Sequence, residues 1–276
     1  MAKLFSVASW NVEHFKDDPS RVGRVIDFLD AQNPDVFGLY EVEGATVFNA
    51  LVSKMPGYTF QITEGTETQE ILVGVRKNLT AFITQKVEFR SGTTHMRPGQ
   101  LVTITKGGAN YALLFLHLAS GTDPRGMGLR DDMLKRAFDF RRTLDKSAGG
   151  DGKAHYVFLG DLNTMGMIYP YQKSIASAIE LKKWDKYASR AKVGMRHLVK
   201  TQDASWFNGS KSSYPPANID HVFASSNLDF RVFKRSDGTE ANVAVRGWVD
   251  QPTDAKKDDW IARYSDHSLL YFEIQA

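Results

Sequence analysis

The sequence predicts one α/β domain, spanning residues 1–276, that contains both mixed and antiparallel sheet. Three observations carry that expectation. The chain has 276 residues, 42% hydrophobic and 24% charged, which is enough apolar material for one large core and too much for disorder. Short β-forming runs alternate with stretches of helical spacing near the N-terminus. Between Tyr58 and Thr105 the hydrophobic period changes to two, as in an antiparallel meander.

Taken in order, Leu4–Trp10 is an apolar run rich in strand formers that ends at Asn11. Asp18-Pro19 supplies an N-cap and a first-turn proline; Val22, Val25, Ile26 and Leu29 follow at helical spacing, and Asn33-Pro34 stops the helix. Asp35–Tyr40 reads as a buried strand ending at Glu41, Ala45–Lys54 as a helix, and Met55-Pro56-Gly57 as a turn. The meander strands are Tyr58–Thr63, Ile71–Arg76, Ala81–Phe89 and Leu101–Thr105, followed by the buried strand Tyr111–Leu118. Arg130–Leu144 is a helix, Ser147–Gly152 a loop, and Tyr156–Leu159 a strand ending at Gly160-Asp161. Pro170–Lys200 is expected to be mostly helical, and Ser205–Pro216 an irregular loop carrying Trp206, Phe207 and Tyr214. Strands at Ile219–Ala224, Phe230–Lys234 and Leu269–Ile274 complete the reading.

Cysteine is absent, which excludes a disulfide framework, a Cys-ligated metal and a thiol nucleophile. A metal would have to sit on oxygen and imidazole. No run of eighteen apolar residues is present, so no stable membrane insertion is expected. The opening residues contain no signal-peptide apolar stretch, and a cytoplasmic monomer is the expectation.

Polar residues gather where apolar runs stop: Asn11, Glu41, His117, Asp161 with Asn163, and Asp266-His267. Strand ends that share one sheet edge bring such side chains to one rim, where α/β proteins build sites. Glu41 and Asp266, supplemented by Asn11, are hard oxygen donors suited to Mg²⁺ or Mn²⁺. Asp161 and Asn163 can hold a water or an oxyanion from one side; His117 and His267 titrate near neutrality, and Asp220 is a carboxylate partner for one of them. One metal, a polarised water and paired imidazoles describe metal-assisted attack on a phosphate ester. A Gly-x-Ser-x-Gly elbow and a Gly-x-Gly-x-x-Gly fingerprint are absent, and Gly149-Gly150-Asp151-Gly152-Lys153 lacks the spacing of a P-loop.

Ser9-Trp10-Asn11-Val12, Tyr40-Glu41, Leu116-His117-Leu118, Gly160-Asp161-Leu162-Asn163, Ile219-Asp220-His221 and Ser265-Asp266-His267 resemble, in order, the motifs of the endonuclease/exonuclease/phosphatase (DNase I-like) superfamily. The resemblance covers essentially the whole chain. It implies a four-layer α/β sandwich, two mixed or antiparallel sheets face to face with helices outside. By similarity, Glu41 binds the divalent metal with Asn11 and Asp266 close to it. Asp161 and Asn163 position the attacking water, His267 contacts the phosphate or acts as base under orientation by Asp220, and His117 assists the leaving group or holds a phosphate oxygen. Glu70 matches a glutamate that pairs with the His117 equivalent, and Arg97 a phosphate-contacting arginine. Three positions depart from the pattern. Asn218 stands where many relatives carry Arg, Glu43 where DNase I-type enzymes carry a DNA-binding arginine, and His117 where abasic-site endonucleases place tyrosine.

The superfamily's motifs indicate the bond and leave the substrate open. Residues 181–200 hold seven Lys or Arg against Asp185 alone, a local charge of +6 in a chain of net +3. Such a run is either a solvated helix face or a strip for a polyanion. With Lys182, Lys183, Lys186 and Arg190 as phosphate contacts and Trp206 as a base-stacking ring, the expected substrate is nucleic acid, DNA before RNA. The rivals are a phosphoinositide- or sphingomyelin-type lipid phosphodiesterase, with Ser205–Pro216 as its docking loop, and a protein–DNA phosphodiesterase. A non-catalytic binding module would have lost some of these residues.

Overall fold

The computed structural model describes residues 2–16, 18–65 and 69–276. The first stretch of chain forms β1 (Lys3–Phe15), α1 (Pro19–Gln32), β2 (Val36–Val42), α2 (Ala45–Lys54), β3 (Tyr58–Ile62) and β4 (Glu70–Arg76). Next come β5 (Thr80–Lys86), β6 (Gly99–Lys106), β7 (Ala109–His117), α3 (Pro124–Ser147), β8 (His155–Asp161), α4 (Ser177–Ala188), β9 (Met195–His197) and β10 (Asp220–Ser225). The last are β11 (Asp229–Phe230), β12 (Phe233–Lys234), β13 (Glu240–Ala241), β14 (Ala244–Arg246), α5 (Asp254–Arg263) and β15 (Leu269–Gln275).

Two sheets result. The first runs β11-β15-β1-β2-β4-β3, with β14 also pairing β15; the second runs β5-β6-β7-β8-β10-β9. Each sheet has one parallel pair, β1 with β2 and β7 with β8, in its interior, and the other pairings are antiparallel. Phe5, Val7, Ile71 and Val73 from the first sheet pack on Val102, Leu113, Phe115 and Leu159 from the second. The layers meet closely enough that a Cβ on Gly38 would lie 2.3 Å from the Phe115 ring. On the outer faces, α1, α2 and α5 cover the first sheet around Trp10, Leu29 and Trp260, while α3 and α4 cover the second around Phe138, Phe158 and Trp184. This is the four-layer sandwich expected. No helix among the described residues is long and apolar enough to cross a membrane.

Caps explain several boundaries. The Asp18 carboxylate accepts from Ser20 N and Arg21 N ahead of Pro19, and Asn33 ends α1 in the left-handed region at φ 51°. Asp123 repeats the cap ahead of Pro124, so α3 starts six residues before the expected Arg130. Gly126 and Gly128 had disguised that first turn.

Other expectations are corrected. The meander is divided: β3 pairs β4 in the first sheet, whereas β5 and β6 belong to the second. A period of two reports a strand and says nothing of its neighbours. Within Pro170–Lys200 only Ser177–Ala188 is helical. The preceding loop closes on itself through Met167 and Ile175, and Met195–His197 joins the sheet beside β10. Phe230–Lys234 is split between β11 in the first sheet and β12, which pairs β13 in a separate ribbon. β1 continues past Asn11 to Phe15 through a register shift.

Candidate active site

Parallel strands end on the same edge, so each interior pair delivers two adjacent residues to the rim. In the second sheet His117 is the register partner of Asp161. In the first, Asn11 pairs with Tyr40, next to Glu41. Gly160 lets these two edges meet. Its φ is 138°, and a Cβ there would lie 2.0 Å from the Leu116 carbonyl oxygen and 2.6 Å from Tyr40 Oη. The buried Tyr40 hydroxyl lies 3.0 Å from Ser9 Oγ, and burial pushes its pKa up, so the phenol stays neutral under the site.

Asn11 joins the layers. Its Nδ2 donates to Glu41 Oε1 and to Asp161 Oδ2, each at 3.0 Å. Glu41 adopts φ 60°, and its other oxygen accepts the backbone N–H of His14 at 3.0 Å. Asp161 Oδ1 accepts from Asn163 N at 3.0 Å, and Asn163 Nδ2 donates to the Leu118 carbonyl at 3.1 Å. Around Asp161 Oδ2 stand His117 Nε2 at 3.6 Å and His267 Nε2 at 3.8 Å. Asp220, the cross-strand partner of Asp161, takes His267 Nδ1 at 2.9 Å.

The electrostatics follow from burial and crowding. Desolvation pushes the Asp161 carboxyl up, with Asp220 and Glu41 adding to the rise and His267 opposing it. Burial alone would strip His267 of its proton, but Asp220, with Asp161 and Asp266, overrides that and holds the ring as an imidazolium. His117 goes the other way: burial, then Arg97 and His267, drive its pKa down, and it is a neutral imidazole whose Nδ1 has no hydrogen-bond partner.

Carboxylates that could hold a cation lie both at the mouth and beneath it. Asp266 Oδ2 accepts from Trp206 Nε1 at 2.6 Å, whereas the buried Oδ1 has no hydrogen-bond partner and lies 3.8 Å from His267 Nε2. A carboxylate oxygen with no hydrogen bond, in the same cleft lining as the Glu41 carboxylate, is a hard donor of the kind a divalent cation takes. Ligand atoms of Asp161, Asp220 and His267 also lie within 4.8 Å of one another. In that group, however, His267 Nδ1 is already engaged by Asp220.

One cleft of about 260 Å³ is lined by Glu41, Arg97, His117, Asp161, Asn163, Trp206, Asp266 and His267. Asn11 and Asp220 touch this lining from beneath. The remaining expectations fare differently. Glu70 hydrogen-bonds Thr63 Oγ1 and leaves His117 Nδ1 without a partner, so the expected Glu70–His117 pair does not form. Lys182, Lys183, Lys186 and Arg190 do not line the cleft: they lie along and just past α4, with Lys183 paired to Asp131 and Arg190 over the Tyr187 ring. Lys200 is buried, donating to Asn218 Oδ1 and the Asp220 carbonyl at 2.7 Å each. Trp206 uses its indole N–H to hold Asp266 and Phe207 is buried against Trp248, whereas Tyr214 of the same Ser205–Pro216 loop is exposed.

The cleft also contains residues that the sequence reading missed. Glu13 and His14 are turned in by left-handed backbone at φ 41° and 44°, and Gln69 Nε2 lies 2.9 Å from His14 Nδ1. Ser120 and Met165 complete the rim. The proximity of Glu13 and His14 to Asn11 was a signal. Positive φ at residues other than glycine leaves none.

The sequence profile of the Endonuclease/Exonuclease/phosphatase family matches residues 8–267. The chain belongs to that family. Its members are divalent-metal-dependent, and in this chain Asp161, Asp220 and His267 form a buried group that could hold an ion. No curated protein matches the sequence. Among solved structures, truncated Caenorhabditis elegans TDP2 superposes with a TM-score of 0.68 at 18% identity, covering 99% of this chain and 98% of that one. D. rerio TDP2 complexed with single strand DNA product gives 0.66 at 18%, with 99% of both chains covered. The human Nocturnin catalytic domain with bound sulfate gives 0.63 at 14%, covering 99% and 93%. At these identities the likeness is one of fold.

Proposed function

We propose that this family member is a Mg²⁺- or Mn²⁺-dependent phosphodiesterase that hydrolyses nucleic acid, with single-stranded DNA as the preferred form. The observation that carries the reading is the convergence of Asp161, His117 and His267 on one small cleft, with a charged imidazole and a neutral one on either side of a buried carboxylate. Asp161, raised toward neutrality, accepts the proton of an attacking water that Asn163 helps to hold. The water oxygen bonds to phosphorus, the bond to the leaving oxygen breaks, and that oxygen takes a proton from solvent at the open mouth. His267, kept cationic by Asp220, faces the charge that builds on the phosphoryl oxygens, and His117 offers them a neutral N–H. A cation held by Glu41 and Asp266 would supply further positive charge to the phosphate.

Nucleic acid is favoured by the surroundings of the cleft. A second hollow of about 290 Å³ shares Arg97 and Ser120 with it and adds His95, Arg125 and Asp123, whose carboxylate caps α3. Arg97, His95 and Arg125 make a track for the phosphates next to the scissile one, in place of the basic run at 181–200. The test is a panel of single-stranded DNA, plasmid DNA, RNA, phosphoinositides and sphingomyelin, assayed with Mg²⁺ and with Mn²⁺. Hydrolysis of the DNA strand is expected. Turnover confined to lipids would overturn the reading.

A further inference from the structure

The loop that follows Asn163, with the first turn of α4, carries large apolar side chains in water. Met165, at the rim of the cleft, is 36% exposed; Ile168 is 64%, Tyr171 85% and Ile179 59% exposed. Isolated exposed side chains need no explanation, but a group continuous with a reactive cleft marks a contact surface. The Tyr169 and Tyr171 rings meet edge to face at 5.9 Å. We propose that this loop is a stacking platform for unpaired nucleobases flanking the scissile phosphate. The inference rests on the nuclease reading and extends it.

The platform is built to stay in place. Ile168 N donates to the Thr122 carbonyl at 2.7 Å, and Met167 and Ile175 exchange backbone bonds at 2.7 and 2.8 Å. At its base the fully buried Arg130 spends its donors on Glu180, on the Ala119 and Gly121 carbonyls and on Gly166 O, while Glu180 accepts from Gly166 N at 2.7 Å. One buried pair therefore ties this loop to the loop bearing Ser120. Rings presented on a preorganised surface lose little freedom on binding. Tyr171 lies six residues after Met165, no farther than roughly 20 Å along an extended chain, within reach of a short strand threaded through the cleft.

Charge selects the occupant. From Leu162 to Trp184 the only carboxylate is Glu180, which is buried and neutralised by Arg130, whereas Lys173 and Lys182 are exposed. An apolar, aromatic and cationic surface matches bases joined by phosphates. A loop that inserts into lipid would also be apolar and basic, but its signature is Trp, Phe and Leu on a helical face. Here two tyrosines stand on a short irregular loop.

The test compares Tyr171→Leu, which keeps apolar area and removes the π-face, with Tyr171→Phe, which keeps the ring. Because Tyr171 is so exposed, both variants should fold, as circular dichroism would confirm. Binding of a short fluorescein-labelled oligothymidylate in EDTA is read by anisotropy. Cleavage kinetics are read with Mg²⁺, and cosedimentation with phosphatidylcholine–phosphatidylserine vesicles is read in parallel. Tyr171→Leu is expected to weaken binding roughly tenfold and to raise KM with kcat held, while Tyr171→Phe behaves as wild type. If wild type cleaves the oligonucleotide and Tyr171→Leu binds it equally well, the platform is refuted and the nuclease reading stands. If wild type binds vesicles through Tyr171 and ignores the oligonucleotide, both fall and the loop is a lipid anchor.

Discussion

Asp220 Oδ2 accepts a hydrogen bond from His267 Nδ1 at 2.9 Å, and this bond leaves His267 Nε2 pointing toward Asp161 at 3.8 Å. Asp220 opens β10 of the second sheet, His267 sits just ahead of β15 of the first, and both are buried. Asp220→Asn preserves the shape of that contact and removes its charge. It should lower kcat by at least about 10²-fold with little loss of melting temperature, since the imidazolium loses its counter-ion. His267→Ala is a poorer probe, because it strands Asp220 as an uncompensated buried charge. Near wild-type turnover by folded Asp220→Asn would remove His267 from the assigned role.

The proposed metal dependence can be tested at Asp266. Activity should vanish in excess EDTA and return with Mg²⁺ or Mn²⁺. Asp266→Asn should weaken Mn²⁺ binding on the order of 10-fold or more by isothermal titration, independently of turnover. Unchanged Mn²⁺ affinity would place the cation elsewhere.

Gly160→Ala tests the packing under the site. The added methyl meets the Leu116 carbonyl and the Tyr40 hydroxyl at a backbone angle open mainly to glycine. A loss of about 3 kcal/mol or more is expected by urea denaturation. A variant as stable as wild type would mean that the strands can separate at no cost.

Lys200 makes stability depend on pH. Burial lowers its pKa from 10.5 to about 8 in the folded chain, against opposing pulls from Asp220 and Asp203. The unfolded chain keeps the proton up to the higher value, so unfolding takes up a proton between the two. This residue's contribution to stability therefore rises as pH goes from about 8 to 10.5, by up to about 3 kcal/mol. Below about 8 the penalty of a buried ammonium is paid in full. Lys200→Met should lack that rise. Parallel stability–pH curves for the two proteins would show that the amine titrates normally.

Much of the site was legible because strand ends are legible. Asn11, Glu41, His117 and Asp161 each follow an apolar run, and the parallel pairing of those runs aligns their ends. Residues placed by backbone twist were not visible, since nothing in the types Glu13 and His14 announces a left-handed turn. The basic run misled for a related reason. Net charge along a segment ignores pairing, and Lys183, Arg190 and Lys200 each have an intramolecular partner. The apolar loop from Met165 to Tyr171 was hidden because exposure depends on what the rest of the fold leaves uncovered. The helix at Asp254–Arg263 is a different case: Thr253 caps it visibly, and the sequence reading made no assignment there.

Two of the bonds that cross between the layers, Asn11 to Asp161 and His267 to Asp220, would make turnover a gauge of sheet alignment. Each sheet alone carries half of the chemistry, so a slip of an ångström between them would silence the enzyme while leaving every strand intact. Mild denaturants, pressure or surface crowding should thus register in catalysis before they register in secondary structure. A substitution in the shared interior, such as one at Phe115 where it presses on Gly38, would act on the reaction from well below the cleft.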